Sequence, residues 1–147
     1  MAAVTVRRAD AEETLAIRSA VLREGLPLDA ARFQGDHDPA TRHWVAELDG
    51  RVVGVVSVMP AELPDAPDDR RPRWQLRGMA VVPEVRSTGV GSALLRAVHD
   101  EVAEPMWCNA RERAVRFYAQ HGWIVLSHLF DIAGVGPHRR MWWPGPL

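Results

Sequence analysis

The residues best placed to do chemistry are an arginine and two glycines spaced R-x-x-G-x-G, namely Arg86, Gly89 and Gly91. An apolar, strand-like stretch at 74–82 precedes them, and a helical pattern with an apolar residue at every fourth position follows. A helix N-terminus carries unpaired N–H groups and the positive end of the helix dipole, so it attracts anions. Glycines allow an anion to approach those groups, and Arg86 adds positive charge. The pattern therefore predicts a pyrophosphate-binding turn between a strand and a helix.

Spacing excludes two common nucleotide-binding motifs. A Walker loop requires Gly-Lys, and the chain contains no lysine. The dinucleotide fingerprint requires a glycine three residues after Gly91, where this chain has Leu94. A glycine turn without a ligand stays open as the structural alternative at this point. The remaining pattern resembles the acetyl-CoA signature of the GCN5-related N-acetyltransferases (GNAT).

A second motif lies further along the chain. It runs from Ala114 to Trp123 with the spacing A-x-x-F-Y-x-x-x-G-W, and it resembles the GNAT pattern A-x-x-F-Y-x-x-x-G-F. Because both motifs occur in the order and at the separation typical of the family, the chain is identified as a member. Three shorter stretches resemble a little-characterised bacterial branch of the family: Asp36-x-Asp38, Cys108-Asn109-Ala110-Arg111 and Gly136-Pro137-His138-x-x-Met141.

The resemblance implies how acetyl-CoA binds as cosubstrate. In the family the pantetheine arm lies like an added strand between two splayed strands, and here the backbone of Met79, Ala80 and Val81 would bind it. The residues that would hold the pyrophosphate beside Arg86 are Ser87, Thr88, Gly89, Val90, Gly91 and Ser92. The chain departs from the family at Arg111, where asparagine is common, and Asn109 is the nearby residue that could supply the amide.

The resemblance also assigns catalytic roles. Tyr118, the only tyrosine in the chain, would be the general acid that protonates the departing CoA thiolate, and its alternative role is packing on an apolar helix face. Glu84 would be the general base, since the family sometimes has a carboxylate at this position. The rival bases are His138, Asp36, His37 and Asp38.

Cys108 is interpreted as a structural residue, and three histidines as structural or surface residues. Cys108 could accept an acyl group, but the sequence shows no nearby His–Asp pair that would activate it. A buried cysteine in a strand is therefore the preferred interpretation. His99, His121 and His128 have no partner at metal-ligand spacing, and no metal site is predicted.

Length and composition limit the possible classes of protein. The 147 residues fit one domain, 1–147, with a single sizeable core. The net charge of −1 gives no general attraction to nucleic acid or to a membrane surface, and no apolar run is long enough to span a membrane. The single cysteine excludes an intrachain disulfide. Together with the lack of a signal-peptide pattern, these features predict a cytoplasmic protein.

Local patterns predict the elements that position these residues. Asp49-Gly50 between two β-rich runs predicts a hairpin turn, and Asp10 with Glu13 predicts a capping box that opens the first helix. Residues 60–72, rich in Pro, Asp and Arg, predict an exposed loop. The resemblance implies a mixed α/β fold of the GNAT acyl-CoA N-acyltransferase type. It would have a central mixed sheet of six or seven strands, with strands four and five splayed and helices on both faces.

The sequence therefore predicts an N-acetyltransferase that moves an acetyl group from acetyl-CoA to a primary amine by direct attack in a ternary complex. The acceptor would be a small-molecule amine or a protein N-terminus or lysine, and a homodimer is compatible with the sequence. The alternative function is a catalytically silent acyl-CoA-binding regulator that keeps the anion site but lacks a working base. The retained Tyr118 favours the enzyme.

Overall fold

In the computed structural model, residues 3–64 and 71–146 are described. Part of the loop predicted at 60–72 lies outside them, including Asp65, Asp68, Asp69 and Arg70. The chain divides into two compact units. The first consists of the residues up to Met59 together with Leu76–Val102, and the second of Pro60–Gln75 together with the chain from Ala103 onward.

The described residues form eight strands and three α-helices. The strands are β1 (Thr5–Ala9), β2 (Arg42–Leu48), β3 (Arg51–Pro60), β4 (Trp74–Val81), β5 (Met106–Arg111), β6 (Ile124–Val125), β7 (Phe130–Ile132) and β8 (Gly136–Trp143). The α-helices are α1 (Leu15–Leu22), α2 (Val90–Val102) and α3 (Val115–Gln120), and short 3₁₀ helices span Ala11–Thr14, Leu28–Ala31, Pro83–Val85 and Glu112–Ala114. Among the described helices, none has the length and apolar character needed to cross a membrane.

The strands of the first unit follow the order β1-β2-β3-β4, and β2 pairs with both β1 and β3 in antiparallel register. The predicted hairpin is confirmed. Asp49 and Gly50 turn the chain between β2 and β3, with φ values of 53° and 76°. Left-handed backbone at both central positions is the geometry that an Asp-Gly hairpin turn requires.

Helices cover both faces of the sheet in the first unit. A Cβ atom added to Gly54 would lie 2.9 Å from Leu94 Cδ1, so α2 packs closely against this face of β3. Three residues later, the Ser57 hydroxyl accepts a hydrogen bond from Arg18 of α1. Because successive strand residues point to opposite faces, α1 and α2 lie on opposite sides of β3.

The helix ends of the first unit follow their capping residues. The predicted capping box is confirmed: the Asp10 side chain accepts from the Glu13 N–H, and the Glu13 side chain accepts from the Asp10 N–H. The first turn is 3₁₀, however, and α1 begins only at Leu15. Helix α2 begins at Val90 and buries the predicted apolar stripe of Val90, Leu94, Val98 and Val102.

In the second unit, the first residues of β4 pair with β5 in parallel register, and β5 pairs with β8 in antiparallel register. Both β6 and β7 also pair with β8. The register between β4 and β5 contains two pairs, Trp74↔Met106 and Gln75↔Trp107, whereas β4 has eight residues and β5 has six. The prediction that strands four and five splay is therefore confirmed.

The second unit contains one strand that was not expected and several short elements. Strand β7 was not predicted, because three residues are too few to show an alternating pattern, and it brings the sheet to eight strands rather than six or seven. Strand β6 is limited to Ile124–Val125, and a 3₁₀ turn at Glu112–Ala114 precedes α3, which begins at Val115. Gly122 follows α3 with a φ of 89°, the left-handed conformation that commonly ends a helix.

Candidate functional site

The predicted pyrophosphate-binding turn, residues 86–92, connects the 3₁₀ helix after β4 to the start of α2. Arg86, Ser87, Thr88 and Gly89 are exposed, whereas Val90 is buried and anchors the helix. Ser87 and Gly89 both have left-handed backbone, with φ of 65° and 93°. The chain therefore turns sharply and exposes its backbone just before the helix begins.

The first helical hydrogen bond in α2 runs from the Ala93 N–H to the Gly89 carbonyl, at 3.0 Å. The N–H groups of Val90 and Gly91 precede this bond, so they have no partner within the helix. Two hydrogen bonds join the turn to the residues that precede it. The Thr88 hydroxyl donates to the Val85 carbonyl, and Arg86 Nε donates to the Val81 carbonyl at 3.2 Å. This geometry can hold an anion at the N-terminus of α2.

The backbone of Met79, Ala80 and Val81 forms the last part of β4 and lies in the same unit as the turn. Ala80 is buried, and its neighbours are partly buried. Since the register with β5 ends at Gln75, the β5 ladder does not use the main-chain groups of these three residues. The Val81 carbonyl already accepts from Arg86. The Val82 N–H donates to the Val53 carbonyl of β3, and the Ala80 carbonyl lies beside Gly54 of β3, so Met79 is the freer residue of the edge that faces away from β3.

Glu84 lies in the 3₁₀ helix between β4 and the turn, and its side chain is 63% exposed. Its carboxylate is 3.5 Å from the Arg51 guanidinium at the start of β3. It is thus a surface carboxylate beside the turn, and its Oε2 pairs with a cation instead of lying in a buried cluster.

Tyr118 lies in α3 of the second unit and is 5% exposed. Its ring packs against Phe117 and Trp123, with ring centroids 5.4 and 5.3 Å away. Burial raises the pKa of the Tyr118 hydroxyl well above its usual value, and the nearby Cys108 thiol raises it further. The phenol therefore stays protonated at neutral pH, as a proton donor must.

Cys108 lies in β5 and is 2% exposed. Burial alone raises the pKa of its thiol far above the ordinary value, so the nucleophilic thiolate is not formed at neutral pH. This supports the interpretation of Cys108 as a structural residue.

Asn109 and Arg111 occupy alternate positions of β5 and share one face of it. Asn109 Oδ1 accepts a hydrogen bond from Arg140 of β8 at 3.4 Å. Arg111 lies at the end of the strand and borders an open pocket of about 230 Å³, which is also lined by Glu112, Arg113, Val135 and Pro137. Asn109 can offer an amide to a polar ligand, and Arg111 and Arg113 can each offer a guanidinium group.

The comparisons with known proteins agree with this geometry. A family profile described as an acetyltransferase (GNAT) domain matches residues 39–125, more than half of the chain. The uncharacterized N-acetyltransferase YitI of Bacillus subtilis (strain 168) is 30% identical over 141 residues, and the match covers 93% of each chain. The chain belongs to the GNAT family. It is therefore an acyltransferase enzyme of the N-acetyltransferase kind.

Solved structures establish the GNAT fold over the whole chain. A crystal structure from Corynebacterium glutamicum, described as histone acetyltransferase HPA2 and related acetyltransferase, has a TM-score of 0.78 at 21% identity and covers 100% of this chain and 98% of its own. An aminoglycoside 6′-N-acetyltransferase complexed with coenzyme A has a TM-score of 0.70 at 14% identity, with 94% and 95% covered.

The two units divide the predicted site residues of this GNAT chain. The first unit brings together Met79–Val81, Glu84 and the turn 86–92 along β4 and the start of α2. The second unit holds Asn109, Arg111 and Tyr118 on β5 and α3.

The predicted rival bases have other partners or are exposed. Asp36 is buried and ion-paired, and His138 is buried with Nδ1 2.7 Å from the Gly136 carbonyl. His37 and Asp38 are exposed, and the Asp38 carboxylate accepts from the Ala40 N–H. No group of three or more potential metal ligands occurs in the part of the chain that the structure describes.

One feature of the first unit was missed at the sequence level: the Arg18–Asp36 network. Arg18 is fully buried and donates two hydrogen bonds to Asp36, at 2.7 and 3.0 Å. It also donates to the Ala31 carbonyl and to Ser57 Oγ. The available signal was its place in the helical stripe between Leu15 and Leu22, where an arginine is unexpected.

His43 completes this network. Its Nε2 lies 2.9 Å from the Asp36 carbonyl oxygen, which can only accept, so Nε2 donates. In the neutral ring Nδ1 then accepts from the Ser57 hydroxyl at 2.6 Å. Burial disfavours the Asp36 carboxylate, but the bonds from Arg18 and the Phe33 N–H outweigh it, and the pKa of Asp36 is lowered. The network fixes the 31–36 segment against β2 and β3.

Proposed function

We propose that this GNAT enzyme transfers the acetyl group of acetyl-CoA to a primary amine by direct attack in a ternary complex. The observation that carries the proposal is that the β5 ladder ends at Gln75, before Met79–Val81, and that the exposed turn 86–92 follows this end of β4. The coenzyme A bound to a structural relative of low sequence identity supports the same choice of cosubstrate.

The turn fits a pyrophosphate because of Gly91. Gly89 has a φ of 93°, so the backbone itself favours glycine there, whereas Gly91 lies inside α2 and is not among the residues with positive φ. A glycine in the middle of a helix lowers stability by about 0.5–1 kcal/mol relative to alanine, which sets an upper limit for Gly91 in the first turn. The backbone does not require glycine at position 91, and glycine weakens the helix there. Its presence is explained if the phosphates occupy the space that a side chain would fill.

The pantetheine arm would then lie along β4 like an added strand. Because the turn follows the C-terminal end of β4, the thioester end of the cosubstrate lies back toward Met79. The Met79 main-chain groups bind the arm, and Arg86 reaches the phosphates or holds the Val81 carbonyl at the end of the strand. Asn109 and Arg111 are proposed as polar contacts to the same cosubstrate from β5.

Chemistry in this proposal needs one acid and one base. The amine nitrogen attacks the thioester carbon, the C–S bond breaks, and the thiolate leaves. Tyr118 donates a hydrogen bond to the developing sulfur charge and then its proton, and solvent restores that proton. The raised pKa of Tyr118 keeps the donor protonated at neutral pH before the C–S bond breaks.

Glu84 is proposed to take the proton that the amine loses. Its carboxylate is exposed and lies at the pyrophosphate end of β4, so the proton must be relayed by water. Asp36 is less suited, because its carboxylate is held by Arg18 and the Phe33 N–H.

Three further points belong to the proposal. Residues 1–147 act as one transferase domain. The acceptor is a small-molecule amine or a protein N-terminus or lysine. The enzyme works in the cytoplasm, without nucleic acid or membrane as partner. The match to YitI over 93% of both chains supports the single domain.

The test has a binding arm and a turnover arm. Calorimetry should show acetyl-CoA binding to the wild type and none to Gly91→Glu, because the new carboxylate would occupy the phosphate position. Arg96→Gln is the matched control: it is exposed on the same helix and changes the net charge by the same amount. Mass spectrometry of an amine library incubated with enzyme and acetyl-CoA should show an acetylated product.

The outcomes separate the two candidate functions. Unchanged acetyl-CoA affinity in Gly91→Glu contradicts the pyrophosphate site. Tight binding by the wild type without acetylation of any library member favours the silent acyl-CoA-binding domain over the transferase.

A further inference from the structure

Three arginines surround the Phe33 ring in the first unit. The guanidinium carbons of Arg18, Arg77 and Arg23 lie 4.1, 4.8 and 5.1 Å from the ring centroid. Arg18 is fully buried, while the other two and the ring are partly exposed. This group is called the Phe33 cluster below. A single aromatic ring that holds three cations is more than packing requires.

The charges of the Phe33 cluster do not balance. Asp36 neutralises Arg18, with two hydrogen bonds to it. Neither Arg23 nor Arg77 forms an ion pair within residues 3–64 and 71–146: Arg23 donates to the Leu22 carbonyl, and Arg77 Nη1 lies 3.5 Å from the Met59 sulfur. A thioether is a weak acceptor and carries no charge. Two positive charges are therefore left over in a partly buried place.

The excess positive charge affects the pKa of Arg77. Burial lowers the pKa of Arg77, and the Arg18 and Arg23 charges lower it further, while Asp36 acts in the opposite direction. The side chain stays charged, because an arginine keeps its proton in proteins. An anion that bound beside it would relieve both the repulsion and the loss of hydration.

A bend in β4 directs the Arg77 side chain toward the Phe33 cluster. Gly78 has a φ of 63° within the strand, and a Cβ atom on it would lie 2.9 Å from Arg18 Nε and 3.1 Å from Phe33 Cε2. Arg77 and Gly78 therefore face the same side, although successive strand residues normally alternate. This is the signature of a β-bulge, a device that redirects side chains near functional sites.

The bend also places the cluster beside the proposed acetyl group. The cosubstrate runs from the turn 86–92 back along Val81 to Met79, so its thioester end points toward Gly78 and Arg77. Two strand residues span about 7 Å, which is within reach of an arginine side chain. An acceptor that attacks the thioester near Met79 would thus carry its other end into the Phe33 cluster.

We propose that Arg77 and Arg23 bind a carboxylate of the acceptor, and that the acceptor is an amine of the amino acid class, with a free carboxylate a short distance from the amine it offers. The inference rests on the proposed transferase function and names its substrate class. The same charges repel polyamines and other cationic amines, because such acceptors would add positive charge to a site that already has an excess.

The activity test compares each acid with its own uncharged form. The panel consists of the common α-amino acids with β-alanine and 4-aminobutyrate, each beside its carboxamide, and CoA release is measured at saturating acetyl-CoA. The acids should be acetylated at least tenfold more efficiently than their carboxamides. Arg77→Gln should raise KM for the best acid about 10–100-fold, the effect of one charged hydrogen-bonding pair, and leave KM for its carboxamide and for acetyl-CoA unchanged.

Matched variants control for a structural effect. Arg77→Lys keeps the charge and should recover part of the preference for the acid, and Arg96→Gln, outside the Phe33 cluster, should behave as wild type. If Arg77→Gln lowers the thermal midpoint so far that it cannot be assayed, Arg23→Gln takes its place with the same expected result. Carboxamides or diamines acetylated as well as the acids would overturn the inference while the transferase function stands.

A binding measurement separates the two proposals. The same acids and carboxamides are titrated by calorimetry into enzyme saturated with CoA. If no acceptor is acetylated, but acids bind more tightly than carboxamides and Arg77→Gln removes the difference, the anion site stands and the transferase mechanism fails. If acids and carboxamides bind alike in wild type and variant, the anion site is wrong.

Discussion

Gly89 and Gly91 lie two residues apart at the start of α2, yet only Gly89 has the left-handed backbone that favours glycine. The two glycines therefore have different roles. Gly89 allows the backbone to turn, and Gly91 leaves space for the ligand. The distinction can be measured, because the same substitution at each position has opposite effects on stability.

Gly91→Ala should raise the free energy of unfolding by up to about 1 kcal/mol, since alanine favours the helix, and should lower acetyl-CoA affinity by at least tenfold. Gly89→Ala should lower the free energy of unfolding by about 1–3 kcal/mol, because alanine is strained at this φ. Denaturant unfolding and calorimetry measure both quantities. A Gly91→Ala enzyme that binds acetyl-CoA as the wild type does would show that this glycine leaves no space for phosphates.

Arg86→Ala should weaken acetyl-CoA binding by about 1–3 kcal/mol, the value of a hydrogen bond to a charged group. The loss should shrink as salt is added, because the side chain is exposed and its attraction is screened. Arg96→Ala serves as the control, with the same change on the exposed face of α2. Equal affinities of the two variants would exclude a phosphate contact by Arg86.

Asp36→Asn should lower the free energy of unfolding by about 3–5 kcal/mol at neutral pH, because it leaves buried Arg18 without its counter-charge. Asp29→Asn is the control. Asp29 forms an exposed ion pair with Arg32, so this variant should lose little free energy of unfolding. Denaturant unfolding measures both. A small loss in Asp36→Asn would mean that the 31–36 segment relaxes and lets water reach Arg18.

The stability from Asp36 should also depend on pH. The pKa of Asp36 is lower in the folded chain than its usual value of 3.8, so its contribution is fully present above about pH 4. It should be lost as the pH falls further, through the lower folded pKa. The difference in unfolding free energy between wild type and Asp36→Asn should therefore narrow on acidification below pH 4, and a constant difference would contradict the lowered pKa.

Glu84→Gln should lower kcat/KM by about 10²–10⁴-fold if this carboxylate receives the amine proton through water. Arg51→Gln removes the ion-pair partner and keeps the carboxylate, so it should stay close to wild type. Initial rates with a true acceptor, measured from pH 5 to 9, compare the two. Equal activities of the two variants would assign the base role to another group or to solvent.

The sequence predicted the parts of the fold whose signals are local. The Asp49-Gly50 turn, the Asp10–Glu13 capping box and the apolar stripe of α2 each depend on residues a few positions apart, and all three are confirmed. The splay of β4 and β5 came instead from the family resemblance, because strand pairing is not visible in spacing alone.

What the sequence missed depends on distant partners. Arg18 follows the helical spacing of Leu15 and Leu22 in the sequence, and only the folded chain brings it to Asp36 and Ser57. Gly78 lies within the strand-like stretch 74–82, and its left-handed φ and the close approach of Phe33 are visible only in the fold. For Tyr118, the motif indicated a role, whereas its burial against Trp123 appears only in the fold.

Tyr118→Phe keeps the ring and its packing against Phe117 and Trp123 while it removes the hydroxyl. The variant should unfold at nearly the wild-type denaturant concentration and bind acetyl-CoA nearly as tightly. Its kcat should fall by about 10²–10⁴-fold, because the hydroxyl acts in the transition state, when charge develops on the sulfur, and not in the ground state.

The pH dependence distinguishes this role from that of a base. Because the pKa of Tyr118 is raised well above 10, its deprotonation cannot cause a loss of kcat below pH 10, and any titration seen there belongs to another group. Phe117→Leu is the packing control: it disturbs the ring contact, keeps the hydroxyl and should change stability more than kcat. If Tyr118→Phe keeps the wild-type kcat with a true acceptor, water protonates the thiolate and the tyrosine only packs.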